Sequence, residues 1–148
     1  MRISDWSLGI GGWVFAGVML AGCATSSIEP VDIYPEDNCA QCRMVVSDER
    51  FASEIIDYHG EVYKFDDLNC LLKFRTKRSD VKIVAMYLKD YETKQWIPYE
   101  KASIIETSIE TPMGSGKIAF ADAEKAKAFK SQYPIAAGKD GCSAKCCD

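Results

Sequence analysis

Histidine is nearly absent from this 148-residue chain: His59 stands alone. A mixed Cys/His zinc finger would draw on that one residue, as would a Ser-His-Asp or Cys-His enzyme, and this argues against histidine-based catalysis. A basic run is also missing. Lys plus Arg number 18 against 22 Asp plus Glu, for a net charge of −4, and nonspecific nucleic-acid binding rests on cations that neutralise phosphate. There is no long unbroken apolar run of the kind that spans a bilayer. Disorder is excluded by a hydrophobic fraction of 47% and an aromatic fraction of 11%. The length suits one domain that buries about two-thirds of its unfolded surface. What the chain does have is seven cysteines.

Residues 6–28 carry no charge, and Gly9 to Ala21 is a short apolar stretch broken by Gly11, Gly12 and Gly17. It fits the core of a signal peptide better than a transmembrane helix. Leu20-Ala21-Gly22-Cys23 resembles the lipobox of bacterial lipoproteins, in which the peptide is cut before a Cys that then carries lipid. Residues 1–22 are thus expected to be a signal peptide and Cys23 the lipidated residue (palmitate among its acyl chains), giving an anchor to a bacterial membrane with the domain in the periplasm or outside. Two or more acyl chains anchor stably where one does not. An uncleaved anchor is the alternative, and in either case the remainder is exported.

Residues 23–36 have no hydrophobic period and read as a flexible tether. Residues 37–134 read as one α+β domain. Met44-Val45-Val46 begins a strand. Phe51 to Tyr58 and Glu61 to Phe65 flank a two-residue turn at His59-Gly60. Asp66-Asp67 can cap a helix from Leu68 to about Arg75 with a stripe of Leu68, Leu71, Leu72 and Arg75. Val81 to Leu88, Trp96-Ile97, Ile104 to Ile109 and Lys117 to Ala121 are strands, and Asp122 caps a helix from Ala123 to about Gln132. At an offset of 55 residues, Phe65, Asp67 and Phe74 match Phe120, Asp122 and Phe129. This echo predicts two similar strand-strand-helix halves in a two-layer architecture.

The chemistry rests on sulfur. Cys39-Ala40-Gln41-Cys42 places two thiols where both face one metal ion or close a redox disulfide. Met44 follows Cys42 by two residues and shares its face if that segment is extended. Thiolate with thioether selects Cu(I), both sulfurs being soft. Haem attachment needs a His where Arg43 stands. Met113, between Pro112 and Gly114 in a loop, is a further soft donor. Cys70, between Leu68 and Leu71, reads as a small buried hydrophobe, and Asp57, Asp66, Asp67 and Asp90 read as caps and turn residues.

Several motifs in order, Cys39 to Met44, Val62-Tyr63-Lys64-Phe65-Asp66-Asp67 with Cys70, Leu88-Lys89-Asp90-Tyr91, Trp96-Ile97 with Ala102, and Thr111-Pro112-Met113-Gly114 with Ala119-Phe120, resemble the NosL family of bacterial copper lipoproteins, accessory proteins of nitrous oxide reductase. The resemblance covers Asp37 to Phe129. It implies a fold of two ββαβ units, similar to part of the organomercurial lyase, and a Cu(I)-binding chaperone that is not an enzyme and serves a copper-receiving enzyme or its maturation machinery. It implies Cys42, Met44 and Met113 as metal ligands, with Cys39 a candidate beside them. The family usually has Gly where this chain has Arg43. A Gly there adopts positive φ freely; Arg does so at a cost, or pairs its charge with a thiolate.

Residues 135–148 form a glycine-containing tail with Cys142, Cys146 and Cys147, which has no counterpart in the family pattern. It is either a second Cu(I) site or a frayed, oxidised terminus. Three functions compete: the copper chaperone, a CxxC thiol-disulfide oxidoreductase, and a copper or mercury sequestration lipoprotein without a client.

Overall fold

Ser53-Glu54-Ile55-Ile56-Asp57 is short, β-branched at its centre and buried at every position, as a strand paired on both sides must be. In the computed structural model, which describes residues 28–135, this is β1. It lies between β2 (Val62–Phe65) and β3 (Ile83–Lys89), and β4 (Trp96–Pro98) adds an edge to give the antiparallel order β2-β1-β3-β4. Pro98 has no N–H for a further ladder, which suits it to an edge strand. The helix α1 (Leu68–Lys77) joins β2 to β3. A second, two-stranded sheet pairs β5 (Ser103–Glu106) with β6 (Lys117–Phe120), followed by α2 (Ala123–Gln132).

The register places Ile55 opposite Tyr63 and Met86, and Ser53 opposite Phe65 and Leu88. Ile55, Phe65 and Leu88 form the larger core with Leu68, Leu71 and Phe74 of α1, and Cys39, Cys70 and Ala119 belong to the same cluster. The smaller core holds Phe51, Ile118, Phe120 and Ala126, with Tyr91 and Phe129 against it. Asp90 ties the two sheets. Its carboxylate accepts the N–H groups of Ala121 at 2.7 Å, Thr93 at 2.8 Å and Glu92 at 3.0 Å. Burial opposes its ionisation, but these donors prevail and hold its pKa below the usual range.

The Phe and Asp positions of the echo recur at two strand ends and helix caps. β2 and β6 both end in Phe, and both following helices are capped by Asp: Asp67 accepts the Asn69 N–H at 2.7 Å, and Asp122 accepts that of Glu124 at 2.8 Å. The segments around them differ in extent, however. The first is a ββαβ unit, β1-β2-α1-β3. In the second, the described residues end at Ile135 without a strand after α2.

Four local expectations change. Residues 44–46 form no strand, only an isolated bridge between Asn38 and Val45. The β1–β2 turn spans Tyr58, His59 and Gly60, with Gly60 at φ 80 and Asp57 accepting the N–H groups of His59 and Glu61 at 2.8 and 2.9 Å; a third residue in the turn is needed to bring glycine to the left-handed position. The buried stripe of α1 is Leu68, Cys70, Leu71 and Phe74 rather than one running to Arg75.

The fourth change concerns the tether. Its described part lies across the outer face of the sheet. The Val31 N–H donates to both Glu54 carboxyl oxygens at 3.1 and 3.3 Å, Lys64 Nζ donates to the Asp32 carbonyl at 2.7 Å, and the Tyr87 hydroxyl donates to the Ile28 carbonyl. The signal segment and Cys23, like Cys142, Cys146 and Cys147, lie outside the described residues. Among the described residues no helix is long and apolar enough to cross a membrane.

Candidate metal centre

The CxxC segment folds as a turn around its first sulfur. The Arg43 N–H donates to the Cys39 carbonyl at 3.0 Å, and the Cys39 N–H returns to the Met44 carbonyl at 2.8 Å. The Cys42 N–H points at Cys39 Sγ, 3.5 Å away. Closing this turn puts Arg43 at φ 69, in the left-handed region that glycine occupies freely. Its side chain is exposed. The Ala40 N–H donates to the Lys64 carbonyl at 2.8 Å, while Lys64 Nζ reaches Asp37 at 2.6 Å. One residue of β2 thus holds the loop from both sides of the chain.

The end of β2 and the first turn of α1 supply the opposite wall. Asp66 and Cys70 are buried there. The ligand atoms of Cys39, Cys42, Asp66 and Cys70 all lie within 4.8 Å of one another, and Cys42 Sγ is 3.5 Å from both Asp66 oxygens. All three cysteines are free thiols. Their protonation is unequal. The Cys70 thiol donates to the Cys39 sulfur, and with the Cys42 N–H it brings the Cys39 pKa down to about 6 against the effect of burial. Burial raises Cys42 to about 11, helped by the neighbouring Cys39 and Asp66. Cys70 is driven strongly upward, as the donor to Cys39 and a buried group. Of the three, Cys39 is the thiol that gives up its proton most readily.

Asp67 does more than cap α1. Its Oδ2 accepts the Thr111 hydroxyl at 2.6 Å and the Met113 N–H at 3.1 Å, and its Oδ1 accepts the Ser115 hydroxyl at 2.8 Å. These bonds fasten the loop between β5 and β6 over the N-terminus of α1. The base of that loop is closed by the Thr107 N–H donating to the Gly116 carbonyl at 2.9 Å. Met113 is half-buried and packs against the core cluster that contains Cys39 and Cys70, as Cys42 does.

The structure therefore brings Cys39 and Cys42 together and seats Met113 on the same core. Met44 stands at the rim, 47% exposed. With Arg43 in the left-handed region, residues 42–44 are not an extended strand, so the alternation that would give Cys42 and Met44 a common face does not apply. Cys70 and Asp66, read from sequence as core and cap, sit among the sulfurs. A signal for Cys70 was present: a residue three places after a helix cap lies in the first turn, near whatever that helix end faces. His59 is exposed at its turn, away from this cluster.

Fold and site together define a small α+β domain with a soft-ligand pocket between a CxxC turn and a helix N-terminus. The family model for NosL matches residues 30–134, and the chain belongs to the NosL family. Among solved structures, the copper chaperone NosL from Shewanella denitrificans shares the fold with a TM-score of 0.62 and 18% sequence identity, over 71% of this chain and 87% of that one. No curated protein matches the sequence significantly.

Proposed function

We propose that the protein is a lipid-anchored Cu(I) carrier that delivers copper to an extracytoplasmic copper enzyme, with nitrous oxide reductase or its maturation machinery as the receiving partner. The observation that carries this reading is the pocket in which Cys39, Cys42 and Cys70 gather within 4.8 Å beside the loop of Met113. Soft, polarisable sulfur matches Cu(I) better than Mg(II) and Ca(II), which take oxygen, and thioether donors such as Met44 and Met113 favour Cu(I) over Zn(II), which takes Cys, His and carboxylate ligands. Membership of the NosL family and a fold shared with a protein named as a copper chaperone support it. The anchor at Cys23 follows from the lipobox, and the tail thiols Cys142, Cys146 and Cys147 are read as a second, mobile copper position.

In this reading Cys42, Met44 and Met113 hold the ion, with Cys39 behind them. Cys39 loses its proton most readily of the three, which favours its joining an entering Cu(I) as a thiolate. Cys42 is half-buried and Met44 exposed, so ligands at the rim are replaced by a partner's sulfur while the inner ones still hold. Each thiol that joins the metal gives up its proton. Thiol-disulfide exchange fits less well, because an exchanging cysteine must be both ionised and accessible, and Cys39, the thiol with the low pKa, is fully buried.

The test is Cu(I) competition against a chromophoric chelator on the reduced full chain. Cys42→Ser is expected to lower affinity by at least about tenfold, with smaller losses for Met44→Leu and Met113→Leu. Affinity that survives all three changes contradicts the reading.

A further inference from the structure

Among the described residues, the two most deeply buried sulfurs, Cys39 at 0% exposure and Cys70 at 2%, are also the two that an exchange partner cannot touch. We propose that Cys70 is a metal ligand, and that Cys39, Cys42 and Cys70 form an inner three-sulfur Cu(I) position behind an outer one made by Cys42, Met44 and Met113, with Cys42 common to both. The inference rests on the copper reading above and extends it by one ligand and one position.

The geometry suits three-coordination. Metal–sulfur bonds of about 2.3 Å, spread evenly in a plane, separate the sulfurs by about 4 Å, and the three Sγ atoms already lie within 4.8 Å of one another. Shifts of less than an ångström bring them onto one ion. Their backbone positions are fixed independently. Cys39 is held by the hydrogen bonds of the CxxC turn, and Cys70 by the first turn of α1, where its N–H donates to the Asp67 carbonyl at 2.9 Å. A purely apolar role for Cys70 calls for nothing on its sulfur, yet this sulfur points at another sulfur, beside a third and a carboxylate. The pocket also lies at the positive end of α1, which favours the negative charge of a copper–thiolate centre.

Two positions of unequal strength sharing Cys42 provide a path. Neutral thioethers, Met44 at the rim and Met113 half-buried against the core cluster, hold copper loosely, whereas anionic thiolates inside hold it more tightly. Copper passes between them by exchanging Met44 and Met113 for Cys39 and Cys70 while its bond to Cys42 is kept, and each thiol releases its proton to solvent water as it joins the metal. No change of oxidation state is involved.

The experiment uses the full chain, reduced, in detergent, with Cys142, Cys146 and Cys147 changed to Ser so that only the domain reports. Copper X-ray absorption at one equivalent of Cu(I) is expected to show three sulfurs at the short distance of thiolates. Cys70→Ser is expected to weaken Cu(I) binding in chelator competition by at least about tenfold and to lower the sulfur count to two. A melting curve of each variant reads folding, and the count on the parent protein needs no variant at all. Unchanged affinity in Cys70→Ser, or two sulfurs in the parent, overturns the inner position. If Cys42→Ser still weakens binding in that case, the copper reading stands without Cys70. If Cys42→Ser is also silent, both fall.

Discussion

Arg43 is the residue at which this chain departs from the usual family pattern, and it sits where the departure is felt. At φ 69 its Cβ crowds the following carbonyl, a conformation that disfavours L-residues by about 1–2 kcal/mol. Arg43→Gly relieves that strain but frees the unfolded chain by about 0.4–1 kcal/mol. The expected net gain is about 1 kcal/mol or less, read as a small rise in melting temperature. A fall in stability contradicts the strained-turn account. The need for a left-handed residue was legible in the sequence only through the family pattern, because no local rule marks an arginine as left-handed. Met44 shows the converse: alternation predicted a face shared with Cys42, and the same left-handed residue between them removed the premise. A cap was legible in Asp66-Asp67 before Leu68, and the structure gives the role to Asp67. Its grip on the loop of Met113 was not legible, since that pairing spans more than forty residues.

Among the elements, the β5–β6 connection carries Met113 and depends on a close approach between its own two ends and on Asp67, far from it in sequence. Gly116 has φ +62, and a Cβ there would stand 2.3 Å from the Thr107 carbonyl oxygen. Gly116→Ala is therefore expected to cost about 2–3 kcal/mol, measured by denaturant unfolding; a neutral result contradicts the close approach. Asp67→Asn keeps the size of the side chain but places an amide among four donors, the N–H groups of Asn69 and Met113 and the hydroxyls of Thr111 and Ser115. It should lower stability by about 1–3 kcal/mol and remove the contribution of Met113 to copper affinity, so that adding Met113→Leu changes little further. Full additivity of the two substitutions contradicts the coupling. The helices and most strands were readable from caps and β-branched runs. What composition left open was which sheet β4 joins, because strand partnership is decided by long-range pairing.

On the scale of the whole molecule, the chain between the expected anchor and the domain crosses the sheet and hydrogen-bonds Glu54. That carboxyl is fully buried. Burial lifts its pKa from 4.5 to about 7, against the Val31 N–H and the charges of Lys64 and Lys89, while Asp32 adds to the rise. A raised acid keeps its proton in the folded state while the unfolded state loses it. Its contribution to stability is thus complete below about pH 4.5 and is lost as pH rises to about 7. Glu54→Gln retains an acceptor for Val31 and is expected to flatten melting temperature against pH across that window, raising it above pH 7. An unchanged slope contradicts this account of the strap. Nothing in residues 23–36 foretold that a stretch without hydrophobic period lies on the sheet, since backbone donors and carbonyls make most of its contacts.

The central claim is that copper sits in the sulfur pocket and is held through Cys42. Anomalous scattering at the copper edge, from crystals of the Cu(I)-loaded protein, tests it most directly. The account predicts one strong peak at bonding distance from Cys42 Sγ, between the CxxC turn and the first turn of α1. A peak confined to the tail cysteines or to the surface, with the pocket empty, contradicts it.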